Sequence, residues 1–281
     1  MKHKIHPELI SRPVNIVLVG AGGTGSRILE GLVCLHRALK AKGHPYGLTV
    51  TVVDPDTVSD ANVGRQAFYP CDVGHSKAHT LVNRANMALY GDTQWTAQCA
   101  MVTTDSNLSE AGIVIGAVDS RKARLAILRS LENTSGGCRY WLDCGNRVSD
   151  AQVILGEVIS RKRKTADLDM LPHVAELYPE LIDPSLEPVD DAPSCSLAEA
   201  LEKQALFINP AVSVQAMNLL WLLFTKGELD FHGAFINLEY GTVLPLYVDP
   251  QQWARFGVVR NGKRQKVVRP SSKKAKISAT A

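Results

Sequence analysis

The first half of the chain alternates short apolar runs with longer stretches in which apolar residues recur every three or four positions. The short runs predict buried strands. They cover residues 14–19, 48–53, 95–101 and 113–118. The longer stretches predict helices over 24–42, 76–90 and 121–131. Strands and helices in alternation predict a parallel sheet with helices on both faces.

The pattern changes after Gly137. Two apolar runs follow with only a short turn between them, and such direct connections favour antiparallel pairing. Two helices, separated by Asn209-Pro210, and a hairpin turning near Tyr240-Gly241 come next. The strands, helices and hairpin cover 140–144, 151–158, 197–206, 212–224 and 231–246. The predicted fold class is α/β: a Rossmann-like doubly wound sheet, parallel in its N-terminal half, with antiparallel C-terminal strands.

Residues 160–193 show neither the short apolar runs of the predicted strands nor the three- to four-residue spacing of the predicted helices. They open basic, turn acidic and contain five prolines, which exclude a long helix. We expect a charged, Pro-rich surface excursion that is partly mobile. The predicted organisation is a Rossmann-like half over 1–159, the excursion over 160–193, helices and a hairpin of the same domain over 194–258, and a basic mobile tail over 259–281.

Composition limits the classes of protein that fit. The chain has 281 residues, 45% of them apolar, and 31 Lys plus Arg against 28 Asp plus Glu give a net charge of +3. These values exclude wholesale disorder and collagen-like repeats. The length approaches the size at which a single core begins to split, so one main domain with additions is expected.

The net charge hides an asymmetry between body and tail. Residues 260–281 contain eight basic side chains and no acid, so residues 1–259 sum to 3 − 8 = −5. Such a tail is either a solubilising end or a weak anchor for nucleic acid or an acidic partner. The sequence leaves both interpretations open.

Cysteine spacing and hydropathy bear on metal and compartment. The six cysteines form no CxxC pair, so no structural zinc is expected. No signal peptide opens the chain, and the longest apolar stretch, near 219–224, is too short to cross a bilayer. We therefore expect a cytoplasmic protein with reduced thiols and no membrane partner.

A glycine-rich segment joins the first predicted strand to its helix. It contains Gly20, Gly22, Gly23, Thr24 and Gly25. Glycines let the backbone approach a phosphate, and helix amides face the anion, so this context predicts nucleotide binding. Asp54 ends the second strand, where an acidic residue binds ribose hydroxyls. It lies 54 − 25 = 29 residues past Gly25, later than the usual spacing of about 20, and the loop alone separates neither NAD, FAD nor ATP.

Further polar residues follow strands at the same predicted edge of the sheet. They are Asn62, Arg65, Gln66, Lys77, Asp119 and, on the next helix, Arg124. Cationic side chains beside a nucleotide loop suit a triphosphate, and a carboxylate at Asp119 suits Mg²⁺. Each also has a purely structural interpretation. Asp119 would cap its helix, Lys77 would be a surface charge, and Arg65 would pair with Asp56 or Asp60.

Together these motifs resemble the ThiF/MoeB/HesA family, the bacterial relatives of ubiquitin-activating enzymes. The resemblance rests on Gly-x-Gly-Gly-x-Gly-Ser, Asp54-x-Asp56, Asn62-x-x-Arg65-Gln66, Gly74-x-x-Lys77, and Asp119 with Arg124. It covers residues 10–160 and, less closely, 195–248. The stretches 193–197 and 206–210 are similar to the ThiF branch of PRTRC cassettes.

The resemblance implies MgATP-dependent adenylation of the C-terminal carboxylate of a ubiquitin-like or sulfur-carrier-like protein. It places Asp54 at the ribose, Asn62, Arg65 and Lys77 at the phosphates, and Asp119 at Mg²⁺. The expected nucleotide-binding set is Gly20, Gly22, Gly23, Thr24, Gly25, Asp54, Asp56, Asn62, Arg65, Gln66, Lys77 and Asp119. The expected catalytic set is Arg65, Lys77, Asp119 and Cys195. The resemblance also implies a homodimer, in which Arg12 would reach the partner's phosphates.

The chain departs from the family pattern at two points. Members often carry Asp-x-x-Asp-Asn where this chain has Gly116-Ala117-Val118-Asp119-Ser120, so one carboxylate and one amide are missing. Two zinc-binding CxxC pairs are missing as well. The first departure bears on metal handling, and the second indicates a zinc-free core.

Many members transfer the activated carboxylate to a cysteine, and Cys195 is the candidate here. It precedes a predicted helix, where a thiolate is favoured, and it lies between two serines. The alternatives are Cys144, Cys71 and a chance surface thiol.

Two other functions stay open. An NAD(P)-dependent oxidoreductase would explain the glycine loop and Asp54 but leaves the polar residues after them unexplained. A nucleotide-binding scaffold without catalysis would act through the basic tail, near nucleic acid.

Overall fold

The computed structural model describes residues 1–133, 138–159, 170–187 and 197–260. Its strands are β1 His3–Lys4, β2 Val14–Val19, β3 Leu48–Val53, β4 Thr96–Gln98, β5 Ile113–Gly116, β6 Tyr140–Asn146, β7 Asp150–Gly156, β8 Glu228–Leu229, β9 Phe231–Asn237 and β10 Thr242–Tyr247. Its α-helices are α1 Glu8–Ser11, α2 Gly23–Ala41, α3 Lys77–Leu89, α4 Arg121–Asn133, α5 Val174–Leu177, α6 Leu197–Lys203, α7 Ile208–Lys226 and α8 Pro250–Ala254. Short 3-10 helices lie at Asp60–Asn62, Pro70–Asp72, Pro179–Ile182 and Pro184–Leu186.

Eight of these strands form one sheet in the order β10-β9-β7-β6-β5-β2-β3-β4. The pairs β2–β3, β3–β4, β2–β5 and β5–β6 are parallel. The pairs β6–β7, β7–β9 and β9–β10 are antiparallel. The prediction of a Rossmann-like sheet, parallel first and antiparallel towards the C-terminus, is confirmed.

The helices cover both faces of the sheet. The connection through α2 steps from β2 to β3, whereas the connection through α4 steps the opposite way, from β5 to β6. Since such crossovers are right-handed, α2 and α4 lie on opposite faces. α2 packs closely against α7: a Cβ on Gly31 would lie 2.4 Å from Met217 Cγ. This contact joins the C-terminal half of the chain to the helix that follows the glycine loop.

Strand register places the candidate residues at one edge. Val19 of β2 is paired with Val53 of β3 and with Gly116 of β5. The three strands therefore end at the same level, and the next residue along each, Gly20, Asp54 and Ala117, lies at their carboxyl edge. Ligands of doubly wound sheets bind outside this edge.

The predicted surface excursion is wrong for residues 170–178. Met170, Leu171, Val174 and Leu177 are buried, and the ring of His173 lies 5.7 Å from that of Trp141. A Cβ on Gly156 would come within 2.2 Å of His173 Cα, so the strand accepts this segment only through a glycine. The flanking charges of 160–193 obscured an apolar stretch that closes one face of the core.

Several boundaries differ from the prediction as well, and two of them are informative. Asn209-Pro210 does not separate two helices but lies in the first turn of α7, where proline loses no intrahelical hydrogen bond. β4 spans three residues rather than the predicted seven.

α7 has 19 residues and a mean hydropathy of 1.2, so its length and composition would suffice to cross a membrane. The apolar stretch near 219–224, which is too short to cross a bilayer by itself, is therefore part of this longer helix. Its side chains Val212, Ala216, Leu219, Leu220 and Leu223 are buried in the core. The core helix of a globular protein satisfies the same length and composition.

Candidate functional site

The glycine loop is fixed by close backbone contacts. Gly20 has a φ of +93°, and a Cβ there would lie 2.5 Å from the carbonyl oxygen of Ala117. A Cβ on Gly25 would lie 1.9 Å from the carbonyl oxygen of Gly20. These two glycines therefore let β2, β5 and the start of α2 approach one another. Gly23 has a similar role, because its Cβ would lie 2.5 Å from the side chain of Asn209 on α7.

Gly22 differs from its neighbours because a Cβ on it would meet no atom within 4 Å. It is the N-cap of the 19-residue α2, and its side-chain-free position leaves the first turn without a side-chain cap. The first amides of a helix have no intrahelical acceptor and carry a partial positive charge. The open space over Gly22 therefore adjoins free helix amides and suits an anion such as a phosphate.

Asp54 connects this loop to the end of β3. Its Oδ2 accepts a hydrogen bond of 2.6 Å from the Ala21 amide, and its Oδ1 accepts one of 2.9 Å from the Asp56 amide. Burial raises the pKa of the Asp54 carboxyl, while these two amides and the charge of Lys77 lower it. The carboxylate is thus a fixed acceptor at the edge of the sheet, in the place where the sequence predicted a ribose ligand.

Lys77 is a buried cation rather than a surface charge. Its side chain is 9% exposed, and its Nζ lies 2.9 Å from Oδ2 of Asp56, whose side chain is 60% exposed. The Lys77 amide also donates to the Asp56 carbonyl. Ser76 caps α3 by accepting a hydrogen bond from the His79 amide, so Lys77 is held in the first turn. The helix start therefore directs a cation toward the loop after β3.

The loop between β3 and α3 folds on its own polar groups. Asn62 Oδ1 accepts from the Ser59 amide at 2.9 Å, and the Asn62 carbonyl accepts from the Gln66 amide. Both Asn62 and Gln66 are buried, and Gln66 Oε1 has no hydrogen-bond partner among the described residues. Asn62 therefore shapes the loop, and Gln66 keeps an acceptor that a ligand or water would satisfy.

Arg65 lies half-buried between two elements. Its Nη1 donates to Gln204 Oε1 at 2.8 Å, and its Nε is buried with no acceptor in the part of the chain that the structure describes. Burial lowers the pKa of the Arg65 guanidinium, and the negative charge of Asp119 opposes this shift. No salt bridge joins Arg65 to Asp56 or Asp60 within the loop that carries all three. The guanidinium stays charged and keeps hydrogen-bonding capacity for a phosphate.

Asp119 is exposed just past the end of β5. The helix-capping interpretation fits Ser120 instead, because Ser120 Oγ accepts from the Ala123 amide at 3.1 Å. Glu187 accepts from the next two free amides of α4, those of Arg121 and Lys122. The Asp119 carboxylate accepts no hydrogen bond from the described residues. It is therefore available to a ligand.

Sequence reasoning missed the residues that connect these parts. Thr24 Oγ1 donates to Asn209 Oδ1, Asn209 Nδ2 donates to Gln204 Oε1, and Gln204 Oε1 accepts from Arg65, with distances of 2.9, 2.9 and 2.8 Å. Asn146 also donates to Asn209 Oδ1, at 3.3 Å. This chain of side chains links the glycine loop to Arg65. The sequence pattern singled out Thr24 in the glycine loop, and Asn209 at a predicted helix boundary and within the stretch 206–210, but it indicated no role for Gln204 or Asn146 and connected none of these residues.

Several predicted residues lie elsewhere. Cys195 and the basic tail from residue 261 onward fall outside the described residues. Cys144 is buried in β6, and burial raises its pKa well above the usual thiol range, which disfavours the thiolate. Cys71 is exposed in the loop before α3, and Arg12 is exposed beside α1.

Metal ligation at this edge would rest on few protein groups. Within the described ranges, no group of three His, Cys, Asp or Glu side chains lies close enough to hold an ion. Mg²⁺ in nucleotide sites is usually held by one or two carboxylates together with phosphates and waters. The unpartnered carboxylate of Asp119 fits that arrangement.

Comparison with known proteins agrees with this geometry. The model of the ThiF family matches residues 10–242. Human ubiquitin-like modifier-activating enzyme 6 is 28% identical over 193 residues, which cover 66% of this chain and 16% of the enzyme. The chain thus spans about a sixth of that relative's length.

Two solved structures are similar to parts of this chain. PaaA, solved with selenomethionine, has a TM-score of 0.56 at 11% identity and covers 84% of this chain and 73% of its own, which shows a shared fold. TcdA (CsdL) is 26% identical with a TM-score of 0.35, over 43% of this chain and 45% of its own.

Proposed function

Because the chain belongs to the ThiF family, we propose that it binds MgATP at the carboxyl edge of the sheet and adenylates the C-terminal carboxylate of a ubiquitin-like or sulfur-carrier-like protein. One observation carries the proposal. The open space at Gly22 shares its edge of the sheet with a buried lysine, a half-buried arginine and an exposed carboxylate without a hydrogen bond to the described residues, at Lys77, Arg65 and Asp119.

The charges at this edge suit the reaction. A carboxylate oxygen of the protein substrate attacks the α-phosphorus of ATP, a new C–O–P bond forms, and the bond to the β-phosphate oxygen breaks to release pyrophosphate. The attacking carboxylate is already ionised at neutral pH, so no general base is required. Fixed cations accelerate the step to the extent that they bind the crowded negative charge of the transition state more tightly than the ground state.

Each side chain has a role in this proposal. Asp54, with Asp56, accepts the ribose hydroxyls, the first-turn amides of α2 bind the phosphates, and Arg65 and Lys77 offset the charge on them. Asp119 would hold Mg²⁺, which neutralises phosphate charge when it is bound. Asn62 and Gln66 shape the loop that carries Arg65.

ATP–pyrophosphate exchange with candidate ubiquitin-like proteins tests the reaction directly. We expect Asp119→Ala to fold normally, because Ser120 is the cap, and to reduce exchange by about a hundredfold or more. Ser120→Ala is the matched control, and it should unfold more easily yet retain exchange. Full exchange activity in Asp119→Ala would contradict the assignment of this carboxylate.

Gly22→Val tests the proposed phosphate site at the start of α2. The side chain would occupy open space, so the variant should fold and lose most of its ATP affinity, as measured by calorimetry. Gly43→Val is a control at another glycine with open space around it, although its φ of +92° adds strain. Unchanged ATP affinity in folded Gly22→Val, or NAD bound in preference to ATP, would argue for the oxidoreductase alternative.

We propose a subsequent thioester at Cys195. Adenylation precedes attack by a thiol, so Cys195→Ala should leave exchange intact and abolish a thiol-sensitive conjugate on a gel. Cys71→Ala, at an exposed thiol, should retain the conjugate. A conjugate that survives Cys195→Ala would mean that another group accepts the acyl chain, and the buried Cys144 would be tested next.

The finer expectations belong to the same proposal: a cytoplasmic, magnesium-dependent homodimer of the PRTRC branch, with Arg12 acting in trans and the tail contacting nucleic acid weakly. If Arg12 serves the partner's site, mixing inactive Arg12→Ala and Asp119→Ala chains should restore exchange. Deletion of residues 261–281 should remove any salt-dependent DNA binding and leave exchange unchanged.

A further inference from the structure

Asp119 is held in place through its main chain. Its carboxylate makes no hydrogen bond to the described residues. The main-chain carbonyl of Asp119 accepts a hydrogen bond of 3.1 Å from Nη1 of Arg124, one turn into α4. The side chain of Arg124 is only 6% exposed. A buried guanidinium therefore holds the turn that presents Asp119.

Arg124 is in turn held by a carboxylate of the neighbouring strand. Its Nε donates to Oδ1 of Asp143 at 3.1 Å, and the Asp143 side chain is 1% exposed on β6. Gly145, two residues along β6, gives the guanidinium room, because a Cβ there would lie 2.9 Å from Arg124 Nη2 and 2.2 Å from Gln152 Nε2. Gln152 of β7 lies against the same pair and favours the charged form of Asp143, which lowers the pKa of that carboxyl. Three elements thus enclose one ion pair.

This ion pair is costly to bury. Burial raises the pKa of the Asp143 carboxyl, and the charge of Arg124 only partly offsets the effect. Asp143 Oδ2 has no hydrogen-bond partner among the described residues. Apolar side chains of similar volume would often stabilise a core more than a buried pair does. The pair is therefore better explained by what it positions than by stability alone.

We propose that Asp143 is a positioning residue for the nucleotide site: it orients Arg124, and Arg124 holds the Asp119 turn so that the Asp119 carboxylate meets the metal–nucleotide complex. This inference rests on the proposed MgATP site. Asp143 touches neither nucleotide nor substrate and acts through two other residues.

The same geometry explains the carboxylate that is missing at Gly116. Gly116 of β5 is paired with Asp143 of β6, and a Cβ on Gly116 would lie 3.1 Å from Trp141 Nε1, 3.4 Å from Ile127 Cδ1 and 3.6 Å from Asp143 Oδ1. A carboxylate at Gly116 would therefore start close to the Asp143 carboxyl that pairs with Arg124, with Trp141 as its nearest neighbour. Asp143 supplies from β6 the charge that the family motif carries on β5.

The test measures MgATP affinity by calorimetry in the full chain, without any protein substrate. We expect Asp143→Ala to weaken MgATP binding about tenfold and to leave ATP binding in excess EDTA unchanged. In an Asp119→Ala background, Asp143→Ala should add nothing further, because Asp143 acts through Asp119. Equal weakening in both backgrounds, or unchanged MgATP affinity with a lower melting temperature, would overturn the proposal.

Relocation of the charge provides the rescue. Gly116→Asp in the Asp143→Ala background should restore MgATP affinity to within about threefold of the starting protein, whereas Gly116→Asp alone places two carboxylates together and should lower the melting temperature. Failure of the relocated charge to restore affinity in a folded chain would contradict the proposal. If Asp143→Ala does not fold, Asp143→Asn replaces it, and an Asp143→Asn chain that also fails to fold makes the residue purely structural.

These outcomes are separable from the adenylation proposal. A chain that binds MgATP but exchanges no pyrophosphate with any partner contradicts the proposed function, while the affinity series still decides the role of Asp143. A chain that binds no MgATP overturns both.

Discussion

The two halves of the sheet contribute to the candidate site in different ways. In the parallel half, the groups that would meet a nucleotide lie at the carboxyl ends of strands: Gly20 and Asp54 follow β2 and β3 directly, and Asp119 lies three residues past β5. The antiparallel half begins at β6, which is parallel to β5 and antiparallel to β7. From β6 and from the helix α7 that follows in the chain, Asp143 and Asn209 hydrogen-bond to Arg124 and Thr24 beside the candidate site. One half presents ligands and the other fixes them. A substitution in either half should therefore affect nucleotide binding, but by different routes.

In the parallel half, Gly25→Ala should have the largest effect on stability and on ATP binding. Its Cβ would lie 1.9 Å from a backbone oxygen, so β2 and α2 must move apart. We expect the free energy of unfolding to fall by more than about 3 kcal/mol and ATP binding to be lost. Chemical denaturation measures the first effect. Gly22→Ala is the control, with a cost below about 1 kcal/mol, and equal costs for the two would show that the loop relaxes freely.

The antiparallel half should respond to acid through His232. Its Nδ1 donates to the Leu155 carbonyl, its Nε2 accepts from Trp253 Nε1, and burial lowers its pKa from 6.5 to about 4. The unfolded chain therefore takes up a proton first, and stability falls as pH drops from 6.5 to about 4. The loss amounts to about 3 kcal/mol, and denaturation curves across this range measure it.

His232→Gln should flatten this part of the pH profile, whereas the same change at the exposed His79 should not. A wild-type profile no steeper than that of His232→Gln would mean that folding does not lower the pKa of His232.

Asn209→Ala tests the link between the halves. It leaves Thr24 and Gln204 without their shared partner, and we expect a loss of about 2 kcal/mol in unfolding free energy. ATP affinity should also fall, because Gln204 no longer fixes Arg65. Asn133→Ala, at an exposed position, is the control and should lower the free energy of unfolding by less than about 0.5 kcal/mol. If Asn209→Ala destabilises the chain but leaves ATP affinity unchanged, the link is structural only.

The smallest expected effect separates two adjacent residues. Ser120→Ala removes the cap of α4 and should cost about 1 kcal/mol, while Asp119→Ala should change the free energy of unfolding by less than about 0.5 kcal/mol. Urea titration of both variants decides which residue caps the helix. A reversed order would return Asp119 to a capping role.

The sequence predicts the strands and site residues of the parallel half well, and it predicts the supporting contacts from the antiparallel half poorly. β2 and β3 have the predicted boundaries because each is a short, largely buried run rich in β-branched and apolar residues, with turn-forming residues on both sides. Asp143 lies among buried residues on β6. No feature of the neighbouring sequence shows that its carboxylate is buried and paired. Its partner Arg124 is on the preceding helix, and only the fold brings the two together.

The same limit explains the errors. Asn209-Pro210 has the composition of a helix break, but the rest of the chain places it where proline is tolerated. Residues 170–178 lie between charged, proline-rich stretches, so local composition predicted exposure, whereas the sheet required a cover for Trp141. In each case a contact distant in sequence outweighed the local pattern.

The ion pair between Lys77 and Asp56 has a consequence for how an anion would enter. The lysine already has a counterion that belongs to the chain, so a phosphate binding at the proposed site would replace Asp56 instead of neutralising a bare charge. Ligand entry there would be an ion exchange: the number of paired charges would stay constant, and little additional lysine surface would leave water. The displaced carboxylate, on a side chain 60% exposed, would then be free to accept hydrogen bonds from the hydroxyls of the same ligand.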